Sequence, residues 1–242
     1  MLNTQSTMLI VQMTRPPEDI RQGFGDQPAW FRPILDALGV RSEVVCPSDG
    51  EALPDVQQFA GAIITGSWSM VTDKEDWSER TAAWIRQRVA AQRPLLGVCY
   101  GHQLMAHALG GTVDYHPRGS EVGRLPITLA PAAKEDAFFG HLPASFEAFL
   151  SHDQSVLVPP PGATVLGRSA HDAHQILRYG PKAMSLQFHP EFTAPLMAAC
   201  IQRRADVHAA HGRDVPAMLA ALGPTPHAQG LLRSFAALAG VL

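Results

Sequence analysis

Pro94-Leu95-Leu96-Gly97-Val98-Cys99-Tyr100-Gly101-His102-Gln103 sets the frame for the rest of the chain. A short apolar run meets a Gly-x-Cys-x-Gly turn, and residues 102–109 follow as a helix closed by Gly110-Gly111. Strand, tight turn and helix make the nucleophile-elbow pattern, with cysteine where serine usually stands. Glycines two before and two after the cysteine let backbone approach without a clashing Cβ, and the nucleophile itself occupies a strained turn. The sulfur then sits at a helix N-terminus, where the dipole and free N–H groups favour thiolate over thiol. The Tyr100 amide faces the reacting centre as a donor for a developing oxyanion. Taken alone, the two glycines equally suit tight strand–helix packing around a small buried cysteine. The motif needs company.

Upstream, Met8-Leu9-Ile10-Val11-Gln12-Met13 reads as a buried strand, residues 41–46 as a second and Gly61-Ala62-Ile63-Ile64-Thr65 as a third. A Pro- and Gly-punctuated loop over 14–28 and a short helix through Trp30, Ile34, Leu35 and Leu38, stopped by Gly39, separate the first two. Residues 76–92 read as a helix burying Trp77, Ala83, Trp84 and Val89. This alternation predicts βαβ units around a mostly parallel sheet. Downstream, 112–169 is proline-rich with β-like runs at 125–129, 146–150 and 164–168, a smaller mixed or antiparallel section. Residues 175–179 and 183–188 flank Gly180-Pro181-Lys182 as a hairpin. Residues 193–211 read as one helix ended by Gly212. Two more helical stretches follow, around 215–222 and from Thr225-Pro226, a cap with proline at the first helical position. With no repeat or low-complexity linker, the expectation is one domain over 1–212 and a helical extension over 213–242.

The 242 residues are 46% hydrophobic and 17% charged, with a formal net charge of −3. That length suits one large domain or two small ones, with a substantial core. The apolar share excludes general disorder, and the slightly acidic balance leaves no footprint for nucleic acid or an anionic membrane. No stretch approaches the roughly 18 uninterrupted apolar residues that span a bilayer. Residues 1–13 lack a basic region and a small-residue cleavage site, so no secretory signal is expected. Cys46, Cys99 and Cys200 are too few and scattered for a disulfide framework or a zinc site, and they suit a reducing cytoplasm. No phosphate-cradling glycine motif is present.

Two further segments give the elbow its company. Ser185-Leu186-Gln187-Phe188-His189-Pro190-Glu191 reads as a strand end that points His189 and Glu191 to one face. His189 can take the thiol proton while Glu191 holds its other ring nitrogen, a Cys–His–Glu triad. Thr65-Gly66-Ser67 lies at the C-terminal end of the third strand, where doubly wound sheets bind ligands, and Gly66 or Ser67 offers a second oxyanion N–H.

In this order the segments resemble the class I (triad) glutamine amidotransferases, most closely stand-alone members similar to the glutaminase domain of GMP synthase. The matching residues are Gly97-Val98-Cys99-Tyr100-Gly101-His102-Gln103, His189-Pro190-Glu191 and Thr65-Gly66-Ser67, within a likeness over about residues 8–195. The resemblance implies a flavodoxin-like three-layer α/β/α sandwich. It implies that Cys99 attacks the carboxamide of glutamine, ammonia leaves and water hydrolyses the γ-glutamyl thioester. By position, it makes Gln103 and Ser151-His152-Asp153 the substrate-holding residues. No cofactor or metal is expected.

Two loops depart from the resembled pattern. Gly-Gly-Pro becomes Gly66-Ser67-Trp68, where a side chain and an indole narrow the pocket mouth or alter its contacts. Ser-His-Gly-Asp becomes Ser151-His152-Asp153-Gln154, without the glycine. Both bear on substrate more than on chemistry. The leading expectation is a glutaminase handing ammonia to a separate synthetase subunit, since a synthetase domain needs a nucleotide site and extra length. The alternative is a stand-alone γ-glutamyl peptidase. A non-catalytic binding module is disfavoured by the intact Cys, His and Glu. An α/β-hydrolase is disfavoured by chain order, because here the histidine precedes the acid.

Other features take plainer readings. His171-x-x-His174 and His208-x-x-His211 have metal-like spacing without the rest of a ligand set. His208 and His211 read as cations on a polar helix end, and Arg203-Arg204 as a solvated helix face. Cys46 and Cys200 read as small buried hydrophobes, and Trp68 as the tryptophan bordering the site. Leu231, Leu232, Phe235, Leu238 and Leu242 fall at helical spacing, so the tail either packs on the domain or covers a homodimer surface.

Overall fold

The first strand, β1 (Thr7–Val11), is buried along its whole length and alternates between two apolar cores. Met8 and Ile10 pack with Phe31, Leu35, Leu96 and Phe235, while Leu9 and Val11 pack with Trp84, Ile85, Leu95 and Leu104. A strand apolar on both faces needs helices on both sides, and that requirement sets the architecture. The computed structural model describes residues 6–242. Residues 1–5, part of the segment expected to lack a secretory signal, lie outside the described residues.

In chain order the elements after β1 are α1 (Glu18–Phe24), α2 (Pro28–Ala37), β2 (Arg41–Val45), β3 (Gly61–Ile64), α3 (Asp76–Ala90), β4 (Leu95–Val98) and α4 (Tyr100–Ala108). Next come β5 (Thr112–Tyr115), β6 (Glu121–Leu129), β7 (Ser145–His152), β8 (Gln154–Val158), β9 (Thr164–Arg168), β10 (Ile176–Gly180) and β11 (Ala183–Leu186). The chain closes with α5 (Ala194–Arg203), α6 (Ala205–Ala210), α7 (Val215–Ala220) and α8 (Pro226–Leu238). The main sheet runs β2-β1-β3-β4-β11-β10-β9-β6-β7. Its first five strands are parallel neighbours, and the remaining four join antiparallel. Side chains of α2 and α8 fill one core and those of α3 and α4 the other, which gives the three-layer α/β sandwich. Strand order reverses at β1–β3, so a binding crevice belongs at the carboxyl ends beside it.

Several expectations change in detail. The loop over 14–28 contains α1, whose Glu18 and Asp19 occupy the first turn as the helix dipole favours. The antiparallel section is not a separate body: β6, β7, β9 and β10 extend the main sheet, and only β5 and β8 pair apart from it. The single helix over 193–211 breaks at Arg204, whose φ of −113° and ψ of 22° leave the α region between α5 and α6. Ala83 and Val89 are half-buried, because Thr81, Ala82, Ile85 and Arg88 turn inward instead. Arg88 is fully buried, donating to the carbonyls of Val56, Phe59 and Pro94. Thr225 makes no side-chain cap, although Pro226 begins α8 as expected. The tail packs on the domain, with Leu231, Leu232 and Phe235 inaccessible in the core shared with α2. Among the described residues no helix is long and apolar enough to cross a membrane.

Candidate active site

Cys99 follows β4 with φ 53° and ψ −102°, a left-handed conformation costly for any residue with a Cβ. Its neighbours hold it there. The Cys99 N–H donates to Leu186 O at 2.8 Å, tying the turn to β11, and the Gly101 N–H donates to Thr65 O at 3.1 Å, tying it to β3. Both glycines are forced by contact: a Cβ on Gly97 would stand 2.5 Å from Gly101 O, and one on Gly101 would strike Ile64 O. Gly66 lies against the same centre, since a Cβ there would sit 3.2 Å from His189 Cε1 and 3.7 Å from Cys99 Cβ. The three segments singled out in the sequence thus meet at one point.

His189 and Glu191 arrive differently from the strand expectation. β11 ends at Leu186, and His189 is placed by its own N–H, which donates to Phe149 O of β7 at 2.8 Å. A turn through Pro190 then brings Glu191 Oε1 to 2.7 Å from His189 Nδ1. The imidazole stacks on Phe192 with centroids 3.9 Å apart. Burial pushes the His189 pKa down, but the Glu191 carboxylate and the Cys99 thiolate outweigh it and hold the ring up at about 10. The His189 imidazolium is therefore favoured at neutral pH, which sets a proton donor beside the cysteine sulfur.

The oxyanion candidates are backbone groups held by side chains. The Gly66 carbonyl accepts from Gln27 Nε2 and from Thr65 Oγ1, each at 2.9 Å. A trans peptide fixed by its oxygen in this way turns the Ser67 N–H in the opposite direction. Tyr100 opens α4, where first-turn N–H groups have no helical partner. Its side chain points elsewhere, bonding Ser78 Oγ at 2.7 Å and stacking on Trp77. The Ser67 hydroxyl contacts Thr14 Oγ1 at 2.8 Å and accepts from the Ser69 N–H at 2.9 Å. It braces the loop, and the indole of Trp68 lines the cleft beside it.

The expected substrate-holding residues divide. Gln103 Nε2 donates to Gln154 O at 2.6 Å and to Gln187 Oε1 at 3.0 Å, which fixes the amide at the cleft wall. Ser151 presents its carbonyl oxygen 3.8 Å from Cys99 Sγ. His152 is occupied at both nitrogens, Nδ1 at 2.9 Å from Gln154 O and Nε2 at 3.1 Å from Glu121 Oε2, so it shapes the loop. Asp153 pairs with Arg204 at 3.0 Å.

These groups line a cleft of about 260 Å3, which also takes in Gln27, Trp30, Trp68, Phe192, Arg203 and Arg204. Arg203 and Arg204 remain solvated, as read from the sequence, and they also line the cleft, paired with Asp19 and Asp153. Sequence reading missed Gln27 because it works through side-chain contacts to Thr65 and Gly66, far along the chain, and carries no local motif. Cys200 lines the same cleft with its thiol pushed up to about 12 by burial, so it stays protonated. The metal-spaced histidines are otherwise engaged: His171 Nε2 meets Gly119 O and His174 Nδ1 meets Val156 O. His208 is buried, and burial together with Arg213 lowers its pKa, so it is neutral where a helix-end cation was expected. Among the described residues no group of three or more potential ligands is gathered for a metal.

The family profile described as glutamine amidotransferase class-I matches residues 33–203. Gamma-glutamyl peptidase 5 of Arabidopsis thaliana is 26% identical over 207 residues, covering 84% of this chain and 82% of that protein. The glutamine-hydrolyzing GMP synthase of Aeropyrum pernix is 34% identical over 163 residues, which is 64% of this chain and 28% of that enzyme. In fold, a glutamine amidotransferase from Thermotoga maritima superposes with a TM-score of 0.77 at 22% identity, covering 95% of each chain. With the matched stretch spanning most of the sequence and containing Gly66, Cys99, His189 and Glu191, the chain belongs to the class-I glutamine amidotransferase family.

Proposed function

We propose that the protein hydrolyses a γ-glutamyl amide bond through a γ-glutamyl thioester on Cys99. The observation carrying this reading is a strained cysteine at an elbow whose neighbour, a buried His189, is held by Glu191 at 2.7 Å. The thiolate attacks the γ-carbonyl carbon, and the π pair moves onto oxygen, received by the N–H groups of Tyr100 and Ser67. His189 gives its proton to the leaving nitrogen, the C–N bond breaks and the thioester remains. The neutral ring then takes a proton from water as its oxygen attacks the thioester carbon. The C–S bond breaks, glutamate departs and the thiolate–imidazolium pair is restored.

For the amide itself, the cleft supports a γ-glutamyl peptide or conjugate. Its lining includes Trp68, Arg203 and Arg204, groups that a leaving half larger than ammonia can engage. The match along 82% of a γ-glutamyl peptidase points the same way. Glutamine hydrolysis for a separate ammonia-accepting subunit is the second reading, favoured by the match to GMP synthase. Glutamate release from glutamine and from γ-glutamyl dipeptides decides between them. The first reading requires a higher kcat/KM on the dipeptides. Turnover confined to glutamine and rising with an added subunit would establish the second.

A further inference from the structure

The wall of the cleft beyond His189 is continuous and aromatic. His189 stacks on Phe192 at 3.9 Å, Phe192 meets Trp30 edge-on at 5.6 Å, and Trp30 meets Trp68 at 6.2 Å. The ladder therefore starts at the proton donor and ends at an indole that is 39% exposed, beside the mouth. Arg203 and Arg204 line the same cleft. Their side chains are 38% and 40% exposed, so both guanidiniums are within reach of solvent and of a bound molecule.

Chemistry fixes which part of a substrate meets this wall. His189 protonates the leaving nitrogen in that mechanism, so the departing half lies on the His189 side of the scissile bond, where the ladder of Phe192, Trp30 and Trp68 begins. We propose that the mouth recognises this departing half. Resting on the γ-glutamyl hydrolase reading above, the substrate class is a γ-glutamyl dipeptide whose second residue has an apolar or aromatic side chain and a free α-carboxylate. The side chain lies against Trp68 and Trp30, and the carboxylate is received by Arg203 and Arg204.

Asp19 and Asp153 balance the two arginines, so the mouth is no bare cationic patch. Exposed ion pairs of this kind contribute little, so a ligand carboxylate can share the two guanidiniums. A guanidinium carries five N–H donors in a fixed fork, and Asp153 reaches only the two terminal nitrogens of Arg204. An apolar body flanked by a carboxylate answers both halves of the mouth at once. Ammonia answers neither.

The test compares kcat/KM, by glutamate release, for γ-glutamyl-phenylalanine, γ-glutamyl-glycine and γ-glutamyl-phenethylamide, which lacks the carboxylate. The wild-type enzyme is expected to prefer the phenylalanine compound about tenfold over each of the others. Trp68→Ala brings the phenylalanine-to-glycine ratio towards one, and Trp68→Phe restores part of it. The double substitution Arg203→Gln with Arg204→Gln removes the preference over the phenethylamide. Ratios within one variant cancel any loss of folded protein, and the wild-type ratios stand if a variant does not fold. Equal wild-type rates on all three compounds, or ratios untouched by the substitutions, overturn the inference and leave γ-glutamyl peptide hydrolysis standing. Turnover of glutamine with none of any γ-glutamyl compound overturns the peptide reading itself.

Discussion

Cys99, the proposed nucleophile, is set apart by neighbours that make a strained conformation the lowest available one. Its φ of 53° is held by hydrogen bonds to two strands and by glycines that leave no room for a Cβ. Cys99→Ala should therefore fold and lose activity by about 10^4-fold or more, measured as glutamate release. Glu191→Gln keeps the shape of the pair but removes the charge that opposes burial of the imidazolium. Its kcat is expected to fall by about 10^2- to 10^4-fold. The sign of the pH dependence follows from the raised His189 pKa. The ring keeps its proton through neutral pH and loses it as pH approaches about 10, so the alkaline limb of kcat/KM belongs near that value. In Glu191→Gln the limb should move down towards the ordinary 6.5, and a wild-type limb already near 6.5 would contradict the pairing.

At the level of elements, the site is a set of strand ends whose spacing is dictated by close approach. Gly97→Ala would press a methyl group to 2.5 Å from Gly101 O, a backbone atom with nowhere to go. A loss of about 1–3 kcal/mol in a denaturant melt is expected, with activity falling further because the elbow shifts. This is why the elbow was legible in the sequence: a steric demand at fixed offsets leaves glycines at fixed offsets. His189 and Glu191 were legible as a pair for a less secure reason. Their two-residue spacing fits a pleated strand, yet a turn through Pro190 makes the same juxtaposition. Arg203-Arg204 was legible as a solvated pair but not as part of the cleft, because the hydrophobic period of α5 runs on into α6. The break at Arg204, directly beside the cleft, leaves no glycine or proline as a signal.

Across the whole molecule, the period-two burial of β1 and the alternation of strands with helices made the α/β class readable. Partner choice within the sheet was not readable, because β6, β7 and β9 extend it through contacts between distant segments. The tail shows the same limit. Its helical spacing was plain, but whether Leu231, Leu232 and Phe235 faced this domain or another copy depended on the apolar surface of α2 waiting for them. Phe235, fully buried between α8 and that surface, should cost about 3–5 kcal/mol when changed to Ala, read as a lowered unfolding midpoint.

The central claim is that Cys99, acting with His189, forms the bond to the γ-glutamyl group. Peptide mapping by mass spectrometry after treatment with a γ-glutamyl chloromethyl ketone tests it directly, because burial keeps the thiols of Cys46 and Cys200 protonated. The expected result is one adduct per chain, on Cys99, prevented by excess substrate and lost in His189→Ala. Labelling of Cys46 or Cys200 in preference to Cys99, or labelling of Cys99 that His189→Ala leaves unchanged, would contradict the mechanism.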